Sequence, residues 1–398
     1  MTNLNTLAIH GGVPIRSTML PYGRQWLDEE DIAHVVDTLR SPYLTQGPAI
    51  EAFEQAVAEE VGAGDAIAFA NGTAALHAAC HVAGITEGDE VITSPITFAA
   101  SSNCVLYCGG RPVFADIDPQ TYNLDPSSVE QAITSRTKAI MAVHFTGQPC
   151  DLTALRALTN RYGLQLIEDA AHALGASHQG QPIGSSSNMA MFSFHPVKPV
   201  TAGEGGVITT HDESVASQLR SFRSHGIVRD ATVIDREGAW YYEMQELGYN
   251  YRMTDIQASL GRSQLRKLFS FTQQRRAIAE AYTTAFEQID GLIVPKQLTE
   301  TESAWHLYSL QLNPEAFRAS RREFFEALRA ENIGVHVHYI PVYWHPYYEQ
   351  LGYARGLCPV AEEWYQHALT LPIFPGMTAE DVNDVIEAVK KVAFVYHK

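Results

Sequence analysis

The chain has 398 residues, enough to bury large cores, and two domains are the natural division at that length. Hydrophobic residues make up 45% and aromatics 10%, the balance of an ordinary globular enzyme. With 28 basic against 45 acidic side chains the formal charge is −17, which argues against nonspecific nucleic-acid binding and against an anionic membrane surface.

The five cysteines (Cys80, Cys104, Cys108, Cys150 and Cys358) are odd in number and follow no framework spacing, so a reduced, cytoplasmic protein is expected. Met1 to Val13 lacks the basic segment and apolar core of a secretory signal. The charge-free run Ala66 to Ile85 is long enough to span a bilayer. It carries Asn71, Gly72, Thr73, His77 and His81, however, and such groups are costly in lipid. It reads instead as a buried strand, a turn and a helix.

In chain order, residues 1 to 47 read as an entry segment containing a helix from Asp28 to Leu39. Ile50, Phe53, Val57 and Val61 then fall at helical spacing, with Gly64 as a stop. Ala66 to Ala70 reads as a strand, and Asn71 to Ala75 turns into a helix reaching Ala83. Strands follow at Glu90–Thr93, Val113–Asp116, Ala139–Val143 and Leu164–Glu168, with helices at Phe98–Tyr107 and Asp151–Tyr162 between them. Such alternation predicts parallel strands joined by right-handed crossovers, an α/β sandwich. After strands at Met189–Phe194 and Val207–Thr210 the pattern changes. A helix from Glu213 to Arg223, an irregular stretch to Tyr251 and a long helix from Thr254 to Ile289 are expected. A second unit follows, with strand Tyr308–Leu312, helix Pro314–Ala330, the stretch Ile333–Tyr339 and a last helix Thr378–Val392. The expected division is residues 1–255 as entry segment and large domain, and 256–398 as linking helix and small domain.

One stretch stands out, Met191-Phe-Ser-Phe-His-Pro-Val-Lys-Pro-Val-Thr-Ala-Gly-Glu-Gly-Gly206. It delivers Lys198 at the end of an apolar run, hemmed in by proline and valine, where desolvation favours the neutral, nucleophilic amine. Taken alone it reads equally as a solvated lysine in a glycine-rich turn. The upstream run Leu164 to Asp169, a buried-strand pattern ending in two carboxylates, changes that reading. A lysine for a Schiff base and an acid for a pyridinium nitrogen are the pair that pyridoxal phosphate (PLP) chemistry needs.

Three blocks resemble the DegT/DnrJ/StrS sugar aminotransferases: Glu168 to Ala176, Phe192 to Gly206, and Gly248-Tyr-Asn-Tyr-Arg-Met-Thr-Asp255. The likeness runs from about Pro21 to Lys391 and implies a PLP enzyme of fold type I, with a mostly parallel large sheet and a smaller C-terminal α/β domain. It implies Lys198 as Schiff-base lysine and Asp169 at the ring nitrogen. Gly72, Thr73 and Ser193 would hold the phosphate, although the Asn71 turn alone reads equally as a capped helix start. Phe98, by itself a core aromatic, would stack on the ring, and His172, by itself an interior histidine, would lie beside it. Asn250 would reach across a homodimer interface to the neighbour's phosphate, with Arg252 near anionic substrate groups. Thr45, Gln148, His338 and Tyr339 are the remaining substrate candidates. His336, His338 and His345 also raise a metal site, but no cysteine or carboxylate completes a ligand set, so none is expected.

Family dehydratases carry histidine where Lys198 stands, so lysine favours transamination. The resemblance is nearest to the pseudaminic-acid branch. There L-glutamate would aminate C4 of a UDP-linked 4-keto-6-deoxy-N-acetylhexosamine, giving UDP-4-amino-4,6-dideoxy-N-acetyl-β-L-altrosamine. UDP-bacillosamine and GDP-perosamine types are the alternatives, and a non-catalytic PLP-binding regulator is a remote one.

Overall fold

The computed structural model describes residues 6–229 and 231–398. Seven strands form the large sheet: β1 (Asp65–Phe69), β2 (Glu90–Thr93), β3 (Arg111–Phe114), β4 (Thr137–Val143), β5 (Gln165–Asp169), β6 (Met189–Ser193) and β7 (Gly206–Thr210). Their order is β1-β7-β6-β5-β4-β2-β3, and only β7 runs against the others.

Alternation within the strands explains the layers. Ala66, Ala68, Ile140, Ala142, Leu166, Ala190 and Phe192 pack on one face, with α2 (Pro48–Val61), which follows the entry helix α1 (Glu29–Arg40), and with Leu152, Leu155 and Leu158 of the helix Leu152–Tyr162. Ile67, Phe69, Ala139, Met141, Ile167, Met189 and Met191 pack on the other, with α3 (Gly72–Val82), α4 (Ala100–Tyr107) and the helix Glu213–Phe222. Period-two alternation sends neighbouring residues to opposite faces, and both faces here are covered by helices. Each large apolar side chain so buried contributes about 1.5–3 kcal/mol. The run Ala66 to Ile85 is therefore strand, turn and helix, as its polar residues predict.

Two expected helices differ. The span Thr254–Ile289 is broken at Arg266 and Lys267 into Asp255–Leu265 and Leu268–Phe286. Pro314–Ala330 is helical only from Arg321, because Ser320 and Glu323 form a reciprocal capping box that sets the start. Helix Pro359–His367 and strand Ala368–Leu371 were not legible in the sequence pattern. Strand Leu292–Ile293, Tyr308–Leu312 and Ala368–Leu371 make the small sheet in that order. Within the helix Leu268–Phe286, Leu268 and Phe271 join the large-sheet core, whereas Ile278, Ala279, Tyr282 and Phe286 join the small-sheet core. Leu7 and Leu20 of the entry segment also pack with the small sheet. Glu331 holds that segment by accepting from the N–H groups of Ala8 and Ile15, both at 2.9 Å, and pairs with buried Lys391.

The register sets the position of the site. Val143 lies opposite Asp169, Asp169 opposite Met191, and Ser193 opposite Gly206, which in turn lies opposite Phe69. The C-terminal ends of β1, β4, β5 and β6 thus meet the start of β7 at one edge. Gly206 is needed there, since a Cβ would stand 2.5 Å from the Asn71 carbonyl oxygen and 2.8 Å from Gly72 Cα. Gly206→Ala is expected to push the Asn71–Gly72 turn outward and to cost about 1–3 kcal/mol of stability. A lowered denaturation midpoint together with faster loss of bound cofactor on dialysis would bear this out; unchanged retention would not.

Candidate active site

A cleft of about 790 Å³ opens at this edge and carries Gly72, Thr73, Phe98, Asp169, His172, Ser193, Lys198, His338 and Tyr339 on its walls. At one end is the start of α3. Asn71 caps it by accepting from the Ala74 N–H at 2.9 Å. Helix geometry leaves the Gly72 and Thr73 N–H groups without an intrahelical acceptor, facing a positive helix end. A Cβ on Gly72 would lie 3.5 Å from Ser193 Oγ, so turn and hydroxyl converge on one spot.

Asp169 ends β5 and is buried. Its Oδ2 accepts from Ser101 Oγ at 2.6 Å and its Oδ1 from the Ala171 N–H at 3.1 Å. Burial raises its pKa, while Ser101, Ala171 and the Lys198 charge oppose that rise. Glu168, pointing to the opposite face of the sheet, is occupied by His144, Ser187 and Arg156. Period two along the strand therefore assigns one carboxylate to the cleft and the other to packing.

Lys198 sits in the β6–β7 loop, closed by Lys198 N–H to the His195 carbonyl at 3.0 Å and Ala202 N–H to the Phe194 carbonyl at 2.9 Å. Desolvation pushes its amine down to about 8, with the Arg275 charge adding to the effect and Asp169 opposing it. At neutral pH a usable share of neutral amine is then present.

Histidines form the opposite wall. The His172 and His306 rings are 4.4 Å apart, both buried, and Nδ1 of each lacks a hydrogen-bond partner among the described residues. Burial and the neighbouring Lys198 charge hold both well below the usual histidine pKa. His338 Nδ1 lies 3.0 Å from Thr370 Oγ1, and burial pushes that ring down to about 3. His336 stacks on His338 at 4.5 Å, and Tyr22 is 5.2 Å from each. Phe98 is 62% exposed, its ring in the cleft and 6.2 Å from Tyr339, which is not how a core aromatic sits.

Four candidates lie outside the cleft walls. Gln148 is buried, with Nε2 donating to Thr301 Oγ1 at 2.9 Å, after the left-handed residues Thr146 and Gly147 turn the chain. That turn still serves the site, since its carbonyls accept from the Ala304 and Leu307 N–H groups on either side of His306. Thr45 and Asn250 are exposed and Arg252 half-buried, none lining the cleft of this protomer. Thr45 bridges to Thr254, and the Ala70 N–H donates to the Tyr251 carbonyl at 2.7 Å, so these residues gather beside the start of α3. Tyr22, Thr97, Ser101, Tyr251 and His306 were missed. Thr97 and Ser101 stand one helical turn apart around Phe98, a spacing that was readable. His306, inside the apolar run Ala304 to Leu307, was readable only as an oddity.

The residues present fit PLP on their own chemistry. A helix start with a converging hydroxyl suits a phosphate dianion, an anion buried without a bonded cation suits a protonated ring nitrogen, and a desolvated amine suits a Schiff base. The sequence profile of the DegT/DnrJ/EryC1/StrS aminotransferase family matches residues 25–390. The spore coat polysaccharide biosynthesis protein SpsC of Bacillus subtilis is 44% identical over 380 residues, covering 95% of this chain and 98% of SpsC. Helicobacter pylori PseC, an aminotransferase of pseudaminic acid biosynthesis, superposes with a TM-score of 0.89 at 31% identity, covering 95% of this chain and all of PseC. Spr1654 of Streptococcus pneumoniae, solved in its pyridoxamine phosphate form, gives 0.88 at 30% identity, covering 94% and 99%. Fold, cleft and relatives define a PLP-dependent aminotransferase of fold type I. The chain belongs to the DegT/DnrJ/EryC1/StrS family, and its activity class is transfer of an amino group to a sugar.

With Lys198 at about 8, covalent capture of PLP by the apoprotein should quicken as pH rises toward 8 and level off above it. A solvated lysine would keep gaining until about pH 10. Stopped-flow absorbance of PLP addition gives the profile, and Lys198→Ala should show no covalent phase.

Proposed function

We propose that the protein moves the amino group of L-glutamate to C4 of a UDP-linked 4-keto-6-deoxy-N-acetylhexosamine, giving the 4-amino altrosamine of pseudaminic acid synthesis. Amine chemistry rests on one observation, the desolvated Lys198 on the cleft that Asp169 and Tyr339 also line. Support for the branch is the likeness to PseC along both chains.

Bound PLP supplies an electron sink for a carbanion next to the transferred nitrogen. Asp169 keeps a proton on the ring nitrogen, so the sink stays charged. Lys198 Nζ, whose own proton burial makes easier to lose, accepts the α-proton of glutamate and later delivers a proton to C4 of the sugar. Phe98 would hold the cofactor ring from its place on the cleft wall, and the neutral histidines introduce no rival cation near the amine. His338, tied through Nδ1 to Thr370, and Tyr339 border the sugar.

The reading includes a homodimer in the cytoplasm. Trp240, Tyr242, Met244 and Leu247 are all exposed on the segment leading to the Gly248–Asp255 block, an apolar surface that a partner subunit would cover. Asn250 would then reach the neighbour's phosphate, and Arg252 and Thr45 the anionic parts of the substrate. Asn250→Ala is expected to weaken PLP binding about tenfold, as for loss of a hydrogen bond to a charged group, with the dimer intact by light scattering.

A second reading draws on SpsC, whose 44% identity exceeds the 31% of PseC. Under it the acceptor is another nucleotide 4-keto sugar, of the bacillosamine or perosamine type. To separate the two, the enzyme is converted to its amino form with L-glutamate, freed of donor, and mixed with the UDP-linked L-arabino 4-keto sugar. Prompt return of the cofactor's visible band, with the aminated sugar seen by mass, supports the first reading. Bleaching by glutamate without return keeps the aminotransferase and removes this acceptor.

A further inference from the structure

Asp169 is held by a hydroxyl that is itself bonded to a second hydroxyl and lies 3.3 Å from the Phe98 carbonyl. Ser101 Oγ donates to Asp169 Oδ2 at 2.6 Å, and Thr97 Oγ1 lies 2.7 Å from Ser101 Oγ. All three side chains are buried and on the cleft wall. A serine hydroxyl has one proton. With that proton on Asp169, Ser101 can only accept from Thr97, so the pair forms a directed relay, Thr97 to Ser101 to Asp169. The two hydroxyls bracket Phe98, so one turn of chain sets both the stacking ring and the anion. Among the described residues no Lys, Arg or His nitrogen pairs with Asp169 within 4 Å.

We propose that Ser101, oriented by Thr97, is a positioning residue that fixes Asp169 as an anion aimed at the cofactor's ring nitrogen. This rests on the assignment of Asp169 to that nitrogen. The other titratable groups facing Asp169 are Lys198 from the β6–β7 loop, His144 after β4, Cys104 on α4, Cys150 and Tyr339. Burial alone raises the Asp169 pKa, and the Ser101 bond is the largest influence against that rise. Losing it moves the proton affinity of the carboxylate upward, so PLP binding should fail at a higher pH on the acid side.

The test measures binding of PLP, and of its carbocyclic analogue with C–H in place of the ring nitrogen, to wild type, Ser101→Ala, Thr97→Val and Asp169→Asn apoproteins. Ser101→Ala should lose about tenfold in PLP affinity, as for a hydrogen bond to a charged group, and keep its affinity for the analogue within about twofold. Its acid limb of PLP binding should move to higher pH, with Thr97→Val showing a smaller displacement in the same sense. Equal losses for both ligands, or an unmoved acid limb, overturn the inference. If Asp169→Asn itself fails to distinguish the two ligands, the assignment of Asp169 falls; if it does and Ser101→Ala does not, only the role of Ser101 falls. Retained analogue binding also reports that each variant is folded.

Discussion

The site depends on a carboxylate buried without a bonded cation. Removing an ion from water carries a penalty of several kcal/mol unless the surroundings replace its hydration. Here they do so with a serine hydroxyl and one backbone N–H, together with the Lys198 charge nearby. Such an anion is under-satisfied by itself and has an open demand for a cation in the cleft, which a protonated pyridine ring meets. The same burial makes the opposite demand on Lys198, whose amine is pressed toward neutrality. One desolvated pocket therefore prepares both an anion that wants a cation and an amine that gives up its proton near pH 8.

The sheet is what allows the two to meet. Because β4, β5 and β6 run in parallel, their carboxyl ends lie side by side, and crossover helices put the start of α3 at the same edge. Reversal of β7 brings Gly206 back against Asn71 and Gly72, so the loop carrying Lys198 is anchored at both ends of one small region. Little conformational entropy then remains to be lost when the groups act together.

Apart from His172, the opposite wall comes from segments beside the small sheet and is locked by a buried guanidinium. Arg275 Nη1 lies 2.8–3.3 Å from the carbonyls of Trp305, His306 and Ile373, and among the described residues no carboxylate pairs with it. Tyr282 donates to the Pro372 carbonyl at 2.8 Å in the same region. These bonds hold the segment bearing His306 and the start of the small sheet against helix Leu268–Phe286. Rings that stay neutral in this wall offer hydrogen bonds to a sugar without perturbing Lys198, whose proton affinity another nearby cation would depress further.

Local sequence was enough for the alternation of strands and helices and for the three blocks that carry Lys198, Asp169 and Asn250. These are short-range signals: periodicity, capping chemistry and glycine punctuation act within a few residues. Breaks such as Arg266–Lys267 and the late start at Arg321 were lost because apolar spacing continues through them. Gln148 looked like a site residue by its neighbourhood, yet two positive-φ residues just before it turned it inward. Ser101, Thr97 and His306 gained their meaning only from contact. A serine 68 residues from Asp169 in sequence, and a histidine that meets His172 ring to ring, are joined by packing rather than by any local pattern. Chemistry carried by residue type was thus determined by the sequence alone, whereas its polarisation, by burial and by partners distant along the chain, was decided by the tertiary structure.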